Sequence, residues 1–265
     1  MLPYVRFWNN NRTRAKAIAS ELTNSDYHII VFQEAFSSTC RHIISKALSE
    51  QFPYQYGPAN RTLLPFRTNS GLWVISKIPL TKTQEIRFSG KKGFDAIARK
   101  GAVLFKGQFN NFQFQLIATH LQSANSPLVR EYQCREIKEH LLNAYFKKDI
   151  PQLICGDFNI DMSDHRHYQQ MLQTLDAQNG ELSDTLTVTY DEINNNLAWT
   201  ENGRQRVLDY ILVRNEFLVD KIKRNVRKFF SRIGNKSSFL SDHYAMEVNV
   251  IFKNKLEPEI TRTLP

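Results

Sequence analysis

No apolar stretch in this 265-residue sequence approaches the ~20 residues that a bilayer span requires. The opening segment, MLPYVRFWNNNRTR, lacks the unbroken apolar core of a secretory leader. As written, the chain is expected to be soluble, its localisation is open, and any leader would be encoded upstream of Met1. Cysteine is scarce: Cys40, Cys134 and Cys155 are scattered and odd in number, which argues against a disulfide framework and for buried or free thiols. Neither HExxH nor a CxxC pair occurs, which disfavours zinc. Internal repeats, low-complexity tracts and Pro/Gly-rich linkers are also missing. One domain over residues 1–255 is therefore expected, with 256–265, part of KLEPEITRTLP, as a frayed tail.

Positive charge is in excess. Lys and Arg number 35 against 26 Asp and Glu, a net charge of +9 that suits an anionic partner: nucleic acid, a phospholipid surface or a phosphorylated small molecule. The densest run, DKIKRNVRKFFSR (220–232), reads as a solvated helix or hairpin face.

Short apolar runs rich in β-branched and aromatic residues predict strands at 28–32, 71–76, 101–105, 114–120, 152–158 and 207–213. Helix-like stretches lie at 14–22, 40–52, 129–146 and 167–175. In the third, Val129, Tyr132, Ile137, Leu141 and Tyr145 mark a buried face. Strands that follow one another through short turns, such as SKIPLTK and KGQFNNFQ, favour an α/β chain of two packed, mostly antiparallel sheets flanked by helices.

Polar residues close these runs. HIIVF ends in Gln33-Glu34, FQLIA in Thr119-His120, QLIC in Gly156-Asp157-Phe158-Asn159; VL leads into Asp209, and SFL into Ser241-Asp242-His243. A single acid after a strand is ordinarily a cap or turn residue. Five such ends together predict one pocket at a common sheet edge. Its carboxylates and amide oxygens are hard donors suited to Mg²⁺ or Mn²⁺, with histidines available for proton transfer.

With these motifs in their order, GDFN, SDH, QE, TH and LDY, the chain from about residue 14 to 250 resembles the endonuclease/exonuclease/phosphatase superfamily, which implies a four-layer sandwich and metal-dependent phosphoester hydrolysis. The resemblance implies that Glu34 binds the catalytic cation with Asp242 beside it. Asp157 and Asn159 would position water and the scissile phosphate, and His120 would steady the phosphoryl oxygens. His243 would be the general base, oriented by Asp209. The family's metal-binding asparagine at the end of the first strand has two candidate readings. Either Asn9 fills it, or, as Pro3 favours, the chain starts after that strand.

Three segments resemble the neutral, bacterial-type sphingomyelinase branch: NSGLWVISKIPL, GFDAIARKGAVLF and ATHLQSANS, together with Arg130 and Gln133. This implies hydrolysis of sphingomyelin to ceramide and phosphocholine at a membrane surface by a monomer, with Lys100 and Gln122 on the substrate. Lys100 reads equally well as a solvated lysine at a strand start, and Arg99 as an exposed base. Phe229 and Phe230 either insert between lipids or pack inward on the sheet. A nuclease of the same superfamily and a catalytically silent phosphate-binding module are the alternative readings.

Overall fold

The computed structural model describes residues 10–61, 68–91, 93–123, 126–182, 188–199, 201–215, 219–233 and 236–253. Asn9 and the 256–265 tail lie outside the described residues. Helix α1 (Asn11–Leu22) leads into β1 (Ile29–Phe32), α2 (Ser38–Leu48), β2 (Tyr54–Tyr56), β3 (Trp73–Ser76) and β4 (Leu80–Arg87). A 3-10 turn (Gly93–Ala96) precedes the long hairpin β5 (Gly101–Phe109) and β6 (Phe112–His120). Then come α3 (Pro127–Ile137), continued by a π-helical turn, β7 (Gln152–Asp157) and α4 (His165–Leu175). Three short strands follow, β8 (Glu181–Leu182), β9 (Tyr190–Asp191) and β10 (Gln205–Arg206). The chain continues with β11 (Asp209–Arg214), β12 (Val219–Arg227), the hairpin β13 (Phe230–Ile233) and β14 (Lys236–Phe239), and β15 (Ala245–Phe252).

Local chemistry sets several of these boundaries. The Ser37 hydroxyl caps α2 by accepting from the Cys40 N–H at 3.3 Å, and Pro127 occupies the first turn of α3, where no N–H is needed. Asn110 adopts a left-handed conformation (φ 52°) in the two-residue turn between β5 and β6. Among the described residues, no helix is long and apolar enough to cross a membrane.

The strands form a five-stranded sheet, β11-β7-β6-β5-β4, antiparallel except for β6–β7, and two three-stranded sheets, β1-β3-β2 and β15-β12-β8. One face of the five-stranded sheet packs on α3 and α4 through Leu104, Ile117, Ile137, Leu141, Ile154 and Tyr210. Its other face meets both smaller sheets through Val74, Phe105, Phe114, Leu116, Val213 and Val219. Helices α1 and α2 cover the outer side of β1 and β3 through Ala15, Ala19, Ile44, Leu48, Trp73 and Ile75. The layer order is helices, sheet, sheets, helices, the fold class that the apolar runs and turns predict.

Three local readings are corrected, and a fourth, that of Lys100, is decided between its two alternatives. The basic run 220–232 is neither helix nor simple hairpin face: most of it is β12, whose Arg224 is buried while Lys221 and Lys223 face solvent. On α3, Tyr132 is exposed, and Gln133, Cys134 and Ile137 form the buried side instead. Lys100 is buried, and Arg99 is half-buried.

Candidate active site

Sheet register builds the centre of the site. Parallel pairing of β6 and β7 sets His120 opposite Asp157, and antiparallel pairing of β7 and β11 sets Asp209 opposite the same Asp157. Three polar side chains therefore lie in one row across three strands. The strands approach closely here because position 156 is glycine: a Cβ there would lie 1.9 Å from the Thr119 carbonyl oxygen, at a φ of 151°.

His243 reaches this row from the segment that follows the β13–β14 hairpin. Its Nδ1 lies 2.8 Å from Asp209 Oδ2. A bridge from Tyr190 to His243 and the Tyr244 N–H donating to the Thr189 carbonyl fix its backbone. The Tyr190 ring meets the imidazole edge-on at 4.9 Å between centroids. The Thr189 hydroxyl accepts from the Leu208 and Asp209 amides at 2.9 and 3.2 Å, so one short segment aligns both members of the His243–Asp209 pair. Thr189, Tyr190 and Asp191, whose carboxylate accepts from the Tyr244 hydroxyl at 3.2 Å, were not legible as site residues. In sequence they form only a polar loop, TYDEIN.

Asn159, in a left-handed conformation, holds Asp157 by donating its backbone N–H to Oδ1 (2.8 Å) and its amide to Oδ2 (3.2 Å). Its amide also reaches the Leu121 carbonyl at 3.2 Å. Lys100 sits behind His120, with Nζ 3.0 Å from His120 Nε2, 2.8 Å from the Leu121 carbonyl and 3.2 Å from Asp95 Oδ1. Asp95 in turn accepts from the N–H and hydroxyl of Ser123, each at 2.7 Å. The solvated reading of Lys100 thus gives way to a buried clamp. Its neighbour Gly101 admits the β4 backbone, since a Cβ there would lie 2.0 Å from the Ile86 carbonyl oxygen. Gln122 is buried beside this clamp, its N–H donating to Gln133 Oε1 at 2.9 Å and its carbonyl accepting from Arg130 at 3.2 Å.

The electrostatics follow from these contacts. Burial, and next the charge of Asp209, push the Asp157 carboxyl up to about 7 against the pull of His243, Lys100 and the Asn159 N–H. Burial alone would lower His243, but the charge and hydrogen bond of Asp209, aided by Asp157 and Asp242, outweigh it and raise the imidazole to about 10. Burial and then Lys100 hold His120 well below the usual histidine range, so it is neutral at pH 7. Ligand-capable atoms of Asp157, Asp209 and His243 all lie within 4.8 Å of one another. Two facing carboxylates with an imidazole form a donor set that fits a hard divalent cation.

Glu34 and Asp242 border the same open cavity of about 1760 Å³ as Asp209 and His243, but neither adds an atom to the 4.8 Å cluster. Glu34 is held in a left-handed conformation (φ 52°) where the Ala35 N–H donates to the Gly71 carbonyl. The two phenylalanines part company. Phe229 packs against the core under α1 and α2, whereas Phe230 is 49% exposed on the hairpin, its ring 4.9 Å from that of Phe239.

Comparison with known families matches residues 8–243 to the Endonuclease/Exonuclease/phosphatase family. The chain belongs to that family. Within it, the chain is similar to a sphingomyelinase C of Leptospira interrogans, 28% identical over 263 residues, which cover 89% of this chain and 47% of the relative. A second one, sphingomyelinase C 2 of the same species, is 29% identical over 89% of this chain and 42% of its own length. The chain thus spans about half the length of these relatives. A staphylococcal beta toxin aligns with a TM-score of 0.78 at 22% identity, covering 90% of this chain and 92% of that one. A variant of Staphylococcus aureus beta toxin with bound magnesium ions aligns at 0.76 and 21% identity, covering 90% and 91%. At these identities, the structural likeness is one of family fold.

Proposed function

We propose that this member of the Endonuclease/Exonuclease/phosphatase family is a Mg²⁺-dependent phosphodiesterase that hydrolyses sphingomyelin to ceramide and phosphocholine. The observation that carries the chemistry is the row His120–Asp157–Asp209 with His243 held at 2.8 Å from Asp209. The names of the Leptospira relatives and the magnesium bound to the beta toxin variant support the substrate and the cation. Asp157 and Asp209 would hold the cation with His243 adjacent, and Glu34 and Asp242 would contribute from the cavity wall. When bound, Mg²⁺ neutralises the facing carboxylates and the charge that develops on the phosphoryl oxygens.

The protein's own groups perform the proton work. Asp209 fixes the imidazole through Nδ1, and with a bound cation offsetting the carboxylates that raise His243 to about 10, Nε2 would be left unprotonated to take the proton of a water attacking phosphorus. As the new P–O bond forms, the bond to the ceramide oxygen breaks, and that oxygen takes up a proton from solvent. Asn159, bound to Asp157, orients the water and phosphate. Neutral His120, backed by Lys100, steadies the phosphoryl oxygens without competing as a base.

The test is to incubate the protein with sphingomyelin vesicles and with duplex or abasic DNA, each with Mg²⁺ and with chelator. Phosphocholine release only with Mg²⁺ is expected. Strand cleavage without phosphocholine release would replace this reading with the nuclease.

A further inference from the structure

Two of the most exposed large apolar side chains, Ile193 (63%) and Trp199 (62%), lie on one loop between β9 and β10. The Tyr190 hydroxyl donates to the Trp199 carbonyl at 3.1 Å and accepts its N–H at 2.9 Å, while the Tyr190 ring rests on His243. The backbone that carries the exposed indole is thus anchored one residue away from the imidazole.

The loop is also fastened to the hairpin that carries Phe230. Asn196 donates its amide to the Ser238 hydroxyl at 3.0 Å and accepts the Phe239 N–H at 3.1 Å, and Phe239 is the cross-strand partner of Phe230. Asn195 reaches the Ser241 carbonyl at 3.0 Å. Buried acids stiffen the loop from within. Asp191 accepts from the Ile193 and Asn194 N–H groups, and Glu192 takes those of Glu201, Asn202 and Arg204 together with the Arg206 guanidinium. Holding these apolar tips in place beforehand lowers the entropic cost of using them.

Exposed cations lie on the same two elements: Arg204 at the end of the loop, Arg232 on β13 and Lys228 just before it. Apolar tips with interspersed bases suit a phospholipid surface, with indole and isoleucine at the acyl boundary and bases on headgroup phosphates. The alternation is less suited to a protein groove, which would demand a continuous apolar face.

We propose that the 192–199 loop, through Ile193 and Trp199, is a second lipid-contacting element, clamped to the Phe230 hairpin so that both meet the bilayer as one rim beside the site. This rests on the phospholipid reading above, and the binding experiment is run in chelator so that binding and turnover fail separately. The protein has three tryptophans, and of the two described, Trp73 is buried and Trp199 exposed.

With phosphatidylcholine/sphingomyelin vesicles, intrinsic emission is expected to shift to the blue, and Trp199→Phe to abolish the shift. Trp199→Ala and Ile193→Ser should each weaken vesicle co-sedimentation by about tenfold. Phe146→Ala, at the opposite end of the sheet and similarly exposed, should not. Vesicle binding unchanged in both loop variants, or a shift elicited by duplex DNA and not by vesicles, would overturn the proposal. Tight vesicle binding with no phosphocholine release once Mg²⁺ is added would leave the rim standing and sink the substrate assignment.

Discussion

The two ends of the five-stranded sheet carry matching rows of polar residues on the same three strands, β6, β7 and β11. At one end His120, Asp157 and Asp209 stand side by side, and at the other Gln115, Gln152 and Arg214 do so. The second row is self-satisfied. Gln152 donates to Gln115 and to the Leu142 carbonyl, and Arg214 serves Gln152, Asn143 and Asp176 at 3.0 to 3.1 Å while its guanidinium covers Phe146. Burial would raise Asp176, yet the Arg214 hydrogen bond and Lys138 charge hold it below the usual carboxylate range. The first row places two carboxylates on adjacent strands and lets Asp157 climb to about 7. One end of the sheet spends its polar groups on stability. The other keeps a buried carboxylate pair in which Asp157 holds its proton far above the usual range, the kind of perturbation that marks a candidate functional site.

The largest expected effect breaks the candidate catalytic row. His243→Ala should lower turnover of sphingomyelin by about 10²- to 10⁴-fold, with the circular dichroism of the fold unchanged. Near-normal rates would mean that His243 is not the base. The converse change, Arg214→Gln, should leave turnover near normal but cost about 2 kcal/mol in urea unfolding, because it strips donors from Gln152 and Asn143. If activity fell more than stability, the two rows would not be separable. A third contrast lies on the hairpin. Phe229→Ala should cost about 1–2 kcal/mol of stability through lost packing, and Phe230→Ala under about 0.5 kcal/mol.

The smallest effect is in pH. In chelator, His243 is raised from 6.5 to about 10, so its pairing with Asp209 stabilises the fold fully below pH 6.5 and is lost as pH climbs through about 10. Asp157, raised from 3.8 to about 7, acts in the same sense, since its ionisation across that interval disfavours the folded state. Asp176, lowered from 3.8, opposes them, its contribution being present above 3.8 and lost as pH falls below it. Melting temperature should therefore decline from mildly acidic pH toward 10, and Asp209→Asn should flatten the alkaline limb. A flat alkaline limb in the unaltered protein would show that the His243–Asp209 pair contributes nothing to the fold.

Much of this was legible from short range. Buried strands announce themselves as apolar runs, so β1, β3, β5, β6, β7 and β11 were found within a few residues of their observed bounds. The polar residues that close or follow those runs include the whole candidate row, His120, Asp157 and Asp209. Strands β12 and β15 were missed because they are only half-buried, and alternating lysines and arginines in β12 mask its period. Tyr132 misled because an apolar residue at helical spacing says nothing of whether a neighbouring element covers it. The 189–206 segment has no period at all; its place in the site comes from hydrogen bonds to residues 19 to 53 positions away.

Residue type and order along the chain determined the α/β class, the hard-donor chemistry and the family motifs, because periodicity and strand-end polarity are local properties. Tertiary structure decided which of those residues meet. Register set Asp157 between His120 and Asp209, and packing buried Lys100 behind His120. The same packing turned Phe229 inward and left Phe230 in water. Those outcomes depend on long-range pairing and on the low dielectric that burial creates, and neither is present until the layers close.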